Sequence, residues 1–272
     1  MKRKLRSTTS SKAPAVAAVL ILLAVWELAS VSGLVPRYML PSPVDVWKAF
    51  VRDLPALGSN LAVTLQEAFI GLALGVSIGF LFAVAMDAFE VLYKAFYPIL
   101  VITQTIPTVA IAPLLVLWFG YEMTPKVVLI VLVTFFPVTV GVLDGFKSVD
   151  RDAVGLLRSM GAGRWQIFRY LKFPWALPQF FSGLRIAAAY SVVGAVISEW
   201  LGGFSGLGVY MTRVKKAFAF DKMFAVIFLI SAVSLALMAL VGLAERKCMP
   251  YRHLDEKRGG RETADENTKS KK

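Results

Sequence analysis

Long apolar segments are the feature of this sequence that most restricts its fold. An α-helix needs about 20 mostly apolar residues to cross the hydrocarbon core of a bilayer, and several runs of this length carry few or no charges. Only 18% of the residues are charged, against about 25% in soluble domains. The sequence therefore predicts an all-α, polytopic membrane bundle of about six transmembrane helices. The runs are Pro14 to Leu34, Leu65 to Met86, Pro98 to Phe119, Val127 to Gly145, Phe180 to Trp200 and Met223 to Leu243.

The first run has the basic start of a signal peptide, which is the alternative to a retained helix. It is longer than the apolar core of a signal peptide, which has about 7–15 residues, and no obvious cleavage site follows it. We therefore expect a retained first helix. The predicted division of the chain is a basic leader over residues 1–12, a transmembrane domain over 13–250 and a polar tail over 251–272.

The distribution of Lys and Arg predicts the orientation in the membrane. The net charge of +12 would suit a nucleic-acid partner in a soluble protein, but in a membrane protein basic residues mark the cytoplasmic loops. Most of them lie in the leader, between residues 147 and 172, and after residue 245. We expect both termini to be cytoplasmic in the plasma membrane of a bacterium, and no nucleic-acid partner.

The residue types that carry catalytic chemistry are scarce. Cys248 and His253 are the only cysteine and histidine, so the sequence predicts neither a metal site nor a nucleophile paired with a histidine in the spans. The glycine-rich stretch 203–208, GFSGLG, lacks the Lys-Ser/Thr that completes a phosphate-binding loop. We expect no enzymatic activity and no cofactor.

Proline residues within the apolar runs indicate bent or interrupted helices, because each proline removes a backbone hydrogen bond. In lipid, the freed backbone groups are tolerated only where protein or a water-filled cavity satisfies them. The third and fourth runs are therefore candidates to line a pathway. The candidate pathway residues are Gln104, Pro107, Pro113, Pro137 and Glu199.

Other polar and small residues in the spans leave their roles open. Ionisable side chains within a membrane segment are functional candidates by default, and Glu27, Glu67, Arg185 and Glu199 are such residues. Gly71, Gly75 and Gly79 recur at every fourth position, which predicts a face that packs closely on another helix. That helix belongs either to the same bundle or to a second copy.

The segment 147–178 is polar and basic, unlike its surroundings. Asp150 is a good N-cap, and Ala153, Val154, Leu157 and Met160 recur at helical spacing. Gly161 and Gly163 break this helix, and a second amphipathic stretch is predicted to end at Pro174. A short amphipathic helix of this kind either lies among lipid headgroups or docks in a groove of a partner.

The residues of this segment resemble the cytoplasmic loop of ATP-binding cassette importer permeases. The matching elements are Asp152-Ala153-Val154, Gly161, Ile167 with Phe168, and Phe173-Pro174. The sequence departs from the family pattern in two conservative ways, with Asp152 for a leading Glu and Phe173-Pro174 for Leu-Pro. The resemblance extends through Gln104-Thr105-Ile106-Pro107, Pro178, Gly183-Leu184-Arg185-Ile186-Ala187, Ser198-Glu199 and Gly206-Leu207-Gly208, and indicates the nitrate, sulfonate, taurine and pyrimidine-precursor branch.

The resemblance implies a permease subunit that carries a small polar solute. Its implied partners are a cytoplasmic ATPase dimer, a second permease copy, most simply an identical one, an extracytoplasmic solute-binding protein and the lipid bilayer. An ion-coupled secondary transporter is the alternative, since it also uses broken helices. The implied contacts with the ATPase are Asp152, Ala153, Val154, Leu157, Gly161, Ile167, Phe168 and Pro174.

Overall fold

The computed structural model describes residues 13–33, 35–36 and 38–249. The expected leader, 1–12, and tail, 251–272, lie outside the described residues, as does residue 250 at the end of the expected transmembrane domain. Every described regular element is helical. The helices are α1 (Ala13–Val31), α2 (Pro43–Arg52), α3 (Leu54–Ala88), α4 (Glu90–Thr103), α5 (Thr108–Phe119), α6 (Met123–Lys147), α7 (Arg151–Ser159), α8 (Arg164–Ile167), α9 (Phe173–Leu201), α10 (Leu207–Lys216) and α11 (Phe220–Cys248), with a π-helical turn at Phe168–Lys172 between α8 and α9.

The predicted all-α membrane bundle is confirmed. Five helical segments are long and apolar enough to cross a bilayer: α1, α3, α6, α11, and the continuous segment Arg164–Leu201 that contains α8, the π turn and α9. The third predicted span is divided instead into α4 and α5, which meet at an angle of 100°. Two spans also extend beyond the apolar runs, because α3 begins at Leu54 and α9 is preceded without a break by α8.

Contacts at the two ends of α6 show that α4 and α5 together cross the bundle. Lys126, near the start of α6, contacts Glu67 in the first half of α3. Lys147, at the end of α6, lies over the ring of Tyr93 near the start of α4. Since α4 follows α3 directly, the chain must pass from one end of α3 to the other before α6 begins. The pair is therefore one broken span, and the bundle has an α7 end and an α10 end.

The core forms where α6 packs between α3 and α9. Gly71, Gly75 and Gly79 of α3 face α6 so closely that a Cβ on any of them would overlap or crowd its side chains or backbone. The glycine face thus packs inside the same chain. Across α6, the approach to α9 is equally close at Gly183, where a Cβ would collide with the carbonyl of Pro137. Small residues allow this contact, as is usual between helices in membranes.

Among the prolines of the third and fourth apolar runs, only Pro107 lies at an interruption of the helices. Pro107 is the N-cap of α5 and directly follows the break between α4 and α5. Pro98, Pro113 and Pro137 lie inside helices that continue through them. The prediction of an interrupted third run is therefore confirmed at Pro107, whereas no interruption occurs at the other three positions.

The prediction that the second loop helix ends at Pro174 is wrong. The helical path continues from Arg164 to Leu201, because a π turn absorbs the proline. In this turn the backbone N–H of Phe173 donates to the carbonyl of Phe168. Pro174 then occupies the first turn of α9, where its missing N–H costs no hydrogen bond. The loop is therefore joined to α9 by a continuous helical segment.

Candidate functional site

The exposed helix α7 begins and ends on two well-formed caps. The carboxylate of Asp150 accepts a hydrogen bond of 2.9 Å from the N–H of Asp152, as predicted for an N-cap. At the other end, the N–H of Ala162 donates to the carbonyl of Leu157, and the N–H of Gly161 donates to that of Arg158. These two bonds form a Schellman motif, which requires a left-handed residue at the position that Gly161 occupies. The φ angle of Gly161 is +84°.

The loop leaves several large apolar side chains uncovered. α7 buries none of its residues, and Leu156 and Met160 are 63% and 75% exposed. Trp165 and Tyr170, beyond the Gly161 turn, are exposed to a similar extent. The predicted contact residues Asp152, Ala153, Val154, Leu157 and Gly161 all lie on this protruding part, with Asp152 and Gly161 exposed and the other three half-buried.

Two of the expected contact residues point into the bundle instead. Ile167 is buried, and Phe168 packs against Phe146 of α6 with a ring separation of 5.5 Å. Pro174 lies at the start of α9, half-buried. The helical spacing that linked Phe168 to Trp165 is real, because the two rings stack. The spacing does not predict that the two side chains differ in exposure, with Phe168 packed at the base of the loop and Trp165 projecting from it.

The base of the loop is also tied to α3 and α4 by charge. Lys172 in the π turn forms two hydrogen bonds of 2.8 Å to the carboxylate of Asp87 near the end of α3. Lys147 lies 3.4 Å from the ring centre of Tyr93, a cation–π contact that joins α6 to α4. A movement of α7 and α8 would therefore be passed to both neighbouring helices rather than to α9 alone.

Two adjoining cavities follow the face of the bundle beside the broken span. One of about 490 Å³ lies between α4, α5, α6 and α9, and the other of about 430 Å³ lies nearer the α7 end, between α6 and α9. Gln104 and Tyr190 line both, so they stand where the cavities meet. Of the other candidate pathway residues, Pro107 lines the first cavity and Pro137 the second.

The linings of the two cavities are mainly apolar, with a few polar groups and almost no charge. In the first cavity Thr103 and Thr108 add hydroxyl groups to a mainly apolar wall, and none of the described residues that line it is charged. In the second, Asp144 is the one charged group among the described lining residues. Gln179, beside it, has a buried Oε1 without a hydrogen-bond partner in the described chain. A solute in this groove would meet hydroxyl, amide and carboxylate oxygens, but no cation.

Two residues of the predicted pathway lie elsewhere. Pro113 is exposed on α5 and lines neither of the two cavities. Glu199 is 2% exposed, with its carboxylate inside the bundle at the α10 end. There it accepts hydrogen bonds from the Thr64 hydroxyl, at 2.7 Å, and from the N–H of Gly208, at 2.6 Å. Glu199 therefore joins α3, α9 and α10 and does not face the groove.

A buried ion pair lies beside Glu199. The ammonium of Lys126 donates to Glu67 at 2.6 Å, and both side chains are about 95% buried. The sequence marked Glu67 and Glu199 as candidates but not Lys126, which lies between two apolar runs. α6 begins at Met123, before its apolar run, so Lys126 lies within the helix and inside the bundle. The position of Lys126 directly before an apolar run is the sequence feature that could have indicated its pairing with Glu67.

The glycine-rich stretch 203–208 wraps around these side chains. The N–H groups of Gly206 and Leu207 donate to Asn60 and Thr64, so the start of α10 is held by α3. The resemblance to a nucleotide loop has a physical basis, since backbone N–H groups at a helix start favour an anion. Here the N–H of Gly208 donates to the carboxyl group of Glu199, which lies within the chain.

Further ion pairs fix the remaining helices at each end. Arg185 of α9 pairs with Glu245 of α11, so this intramembrane arginine joins two spans. At the α10 end, Asp53 accepts from the Tyr210 hydroxyl at 2.5 Å and from Lys222 at 2.7 Å. Burial raises the pKa of Asp53, but these hydrogen bonds outweigh it and hold the pKa below its usual range. Burial and the Asp53 carboxylate raise the pKa of the Tyr210 hydroxyl.

Comparison with protein families gives a match over residues 75–249. The family is described as the binding-protein-dependent transport system inner membrane component. Among curated proteins, the chain is similar to the formylaminopyrimidine transport permease protein ThiX of Halalkalibacterium halodurans. The two are 40% identical over 234 residues, which cover 86% of this chain and 93% of the relative.

Two further proteins extend the comparison. The riboflavin transport system permease protein RibX of Chloroflexus aurantiacus is 32% identical over 232 residues, covering 84% of this chain and 86% of RibX. A crystal structure of an amino acid ABC transporter with histidines has a similar fold, with a TM-score of 0.61 at 20% identity, covering 72% of this chain and 96% of that one.

Proposed function

This chain belongs to the family of binding-protein-dependent transport system inner membrane components, and from that membership we propose how it works and which solutes it carries. It is the transmembrane permease subunit of an ATP-driven importer, a multi-pass membrane protein that works with an ATPase and a binding protein. Because the chain belongs to this family, an importer driven by ATP is preferred to the alternative of an ion-coupled secondary transporter. ATP hydrolysis takes place on the partner, and this chain makes no bond chemistry of its own.

The ATPase docks on the protruding loop. A docking helix needs uncovered apolar side chains, and Leu156, Met160 and Trp165 supply them. Asp152, Ala153, Val154 and Leu157 complete the contact on α7, and Gly161 sets the angle of α7 to the following helix. Ile167, Phe168 and Pro174 act behind this surface, where they connect the loop to the bundle. The docked loop thus moves with the ATPase as a rigid piece.

The docking of the ATPase on this loop also determines the orientation of the chain in the membrane. An ATPase is cytoplasmic, so the α7 end faces the cytoplasm and the α10 end faces the binding protein outside. An even number of crossings then places both termini on the cytoplasmic side, in agreement with the positive charge of residues 1–12 and 251–272.

A second copy of the chain covers the broken span. Residues 104–107 carry irregular backbone, and their side chains are exposed in the single chain. Since α4 has 14 residues, the break lies roughly 20 Å from the start of that helix, well inside the bilayer. Lipid cannot satisfy such backbone, whereas protein or a water-filled cavity can. Two copies that face each other through α4 and α5 would enclose the groove of Gln104 and Tyr190 between them.

The solute is an uncharged or weakly charged heterocycle. The observation that carries this proposal is the groove itself, in which Gln104, Thr103 and Tyr190 offer hydrogen bonds and Asp144 is the only charge among the described lining residues. A sulfonate or nitrate would pass a carboxylate without any compensating cation, which is unfavourable in a cavity of low polarity. The 40% identical relative, named as a formylaminopyrimidine permease, supports the same class.

Uptake into proteoliposomes tests the proposal. The chain is reconstituted with its ATPase and its binding protein, and uptake of a formylaminopyrimidine is compared with that of taurine. We expect ATP-dependent uptake of the pyrimidine and little uptake of taurine. Preference for taurine would overturn the solute class, and uptake that follows an ion gradient without ATP would overturn the importer assignment.

Two variants separate coupling from passage. Gly161→Arg places a large side chain at a left-handed position on the docking surface, and should abolish uptake. Asp144→Asn leaves that surface intact and removes the negative charge from the groove. It should preserve pyrimidine uptake and increase the residual uptake of taurine, because the repulsion of the anion is gone. Loss of pyrimidine uptake in Asp144→Asn would contradict a path for uncharged solutes.

A further inference from the structure

Helix α2 has an apolar face that is largely exposed in the described chain, although the Trp47 ring stacks on Phe50 of the same helix. Val44, Trp47 and Val51 recur at helical spacing and are 52%, 65% and 53% exposed. The opposite side of the same helix packs on the bundle. Val46 and Ala49 are buried there, and Phe50 packs on the cluster of Leu57, Tyr210 and Val226. α2 therefore has two apolar faces, one towards the bundle and one away from it.

A third face of α2 is basic. On a helical wheel, Lys48 and Arg52 lie between the exposed apolar face and the buried one. Both are exposed, and neither lies within ion-pair distance of a carboxylate among the described residues, although the charge of Arg52 helps to lower the pKa of the adjacent Asp53. Asp45 lies on the same side, in the first turn, where a carboxylate is favoured by the helix dipole. Basic residues thus border the exposed apolar stripe along one edge.

The position of α2 in the chain places it at the surface of the bilayer. It has ten residues, too few to cross the membrane, and it lies between two spans, α1 and α3. The connection from α1 is fixed, because the indole N–H of Trp26 donates to the carbonyl of Pro41 and the Ser30 hydroxyl donates to that of Leu40. α2 is therefore held at the membrane depth where α1 ends and α3 begins.

We propose that α2 is an interfacial helix that binds acidic phospholipids of the outer leaflet. Val44, Trp47 and Val51 enter the boundary between headgroups and acyl chains, and Lys48 and Arg52 contact the lipid phosphates. This division of apolar, aromatic and basic residues is what a helix in the membrane interface requires. Tryptophan is also enriched at this depth, because its ring is apolar and its N–H is polar. The proposal holds for any transported solute.

Spin-label accessibility measures the depth of each face. Cys248 is replaced by serine, and single cysteines are placed at Val44, Val51 and Lys48 of the assembled transporter in nanodiscs containing phosphatidylglycerol and phosphatidylcholine. Labels at Val44 and Val51 should collide more with dissolved oxygen than with a water-soluble nickel chelate, and the label at Lys48 should show the reverse. Water-accessible labels at all three sites would overturn the proposal.

The headgroup preference tests the basic face. Lys48→Gln with Arg52→Gln is compared with Lys215→Gln and Lys216→Gln on α10, which removes the same charge from another exposed part of the outer side. Each basic residue near an anionic surface is worth about a fivefold preference. We expect the α2 double variant to retain less phosphatidylglycerol, by roughly that factor for each charge, and the α10 variant to match the wild type when lipids are counted by native mass spectrometry.

A different occupant would give a different result. If the binding protein covers this face, labels at Val44 and Val51 would be accessible to the nickel chelate alone and would become protected when binding protein is added. Equal retention of phosphatidylglycerol by the wild type and the α2 double variant would also overturn the assignment of Lys48 and Arg52 to lipid phosphates.

Discussion

The two ends of the bundle both place a left-handed glycine beside a short helix, but for different physical reasons. At the α7 end, Gly161 has a φ of +84° and a Cβ added to it would meet nothing within 4 Å. At the α10 end, Gly206 has a φ of +120° and a Cβ would overlap the carboxylate of Glu199. Conformation alone demands the first glycine, whereas crowding also demands the second.

The surroundings of the two helices differ in the same way. The start of α10 is anchored by hydrogen bonds that its backbone N–H groups donate to Asn60, Thr64 and Glu199, beside the buried pair of Lys126 and Glu67. α7 buries no residue and presents uncovered apolar side chains. The contacts of α10 are thus completed within the chain, whereas α7 leaves its apolar side chains uncovered. Substitutions at the α10 end should reduce stability, and those at the α7 end should reduce coupling.

The largest expected effect is at the buried ion pair. Lys126→Met leaves the carboxylate of Glu67 buried without its cation, which costs about 3–5 kcal/mol when one partner of a buried pair is removed. Thermal unfolding of the purified transporter should show a large decrease in Tm and a low yield. Lys215→Met, on the exposed side of α10, is the matched control and should leave the Tm unchanged.

A double variant shows whether the charge is the cause. Glu67→Gln combined with Lys126→Met removes both charges and should recover most of the lost stability. If Lys126→Met alone unfolds at the wild-type temperature, the α10 end is not held by this pair and the contrast between the two ends fails.

Gly206→Ala should have the next largest effect. Alanine at this position must adopt a left-handed backbone conformation, and its methyl group displaces the Glu199 carboxylate. Together these effects cost about 2–3 kcal/mol. We expect a lower Tm, with ATP-dependent uptake reduced in proportion to the loss of folded transporter. Gly242→Ala in α11, where a Cβ meets nothing within 4 Å, is the control. A normal Tm with abolished uptake would assign this glycine to transport rather than to packing.

Much of this architecture could be predicted from the sequence, because hydrophobic length and cap chemistry are local properties. The bundle of spans, the Asp150 cap, the end of the helix at Gly161 and the close-packing glycines of α3 are all of this kind. The burial of Lys126, Ile167 and Glu199 was not predictable in the same way, since it depends on which helices meet. The continuation through Pro174 required a π turn, for which the spacing of apolar residues gives no signal.

At the α7 end, Gly161→Ala should reduce coupling without reducing the Tm. A left-handed alanine costs about 1–2 kcal/mol, which the loop can avoid by changing the angle between α7 and α8, because nothing packs against it. We expect a several-fold loss of ATP-dependent uptake and a weaker stimulation of ATP hydrolysis by the binding protein. Gly161→Asn should retain more activity, since asparagine tolerates this conformation better. A greater loss in Gly161→Asn than in Gly161→Ala would show that side-chain size matters here more than backbone conformation.

The smallest expected effect concerns the helicity of α7 itself. Asp150→Ala removes the N-cap and costs about 1 kcal/mol, which should fray the first turn around Asp152 and weaken docking by a few-fold. Gly155 lies inside α7, where glycine is unfavourable by a similar amount and a Cβ meets nothing within 4 Å. Gly155→Ala should therefore restore uptake in the Asp150→Ala background.

The compensation between Asp150→Ala and Gly155→Ala distinguishes helix formation from a direct contact. If the Asp150 carboxylate binds the ATPase, Gly155→Ala cannot replace it, and the double variant would remain as defective as Asp150→Ala. If the carboxylate acts by capping, uptake in the double variant approaches that of the wild type while the Tm of the bundle stays constant. Recovery of this kind would show that coupling at the α7 end requires a preformed helix, whereas α10 depends on buried contacts.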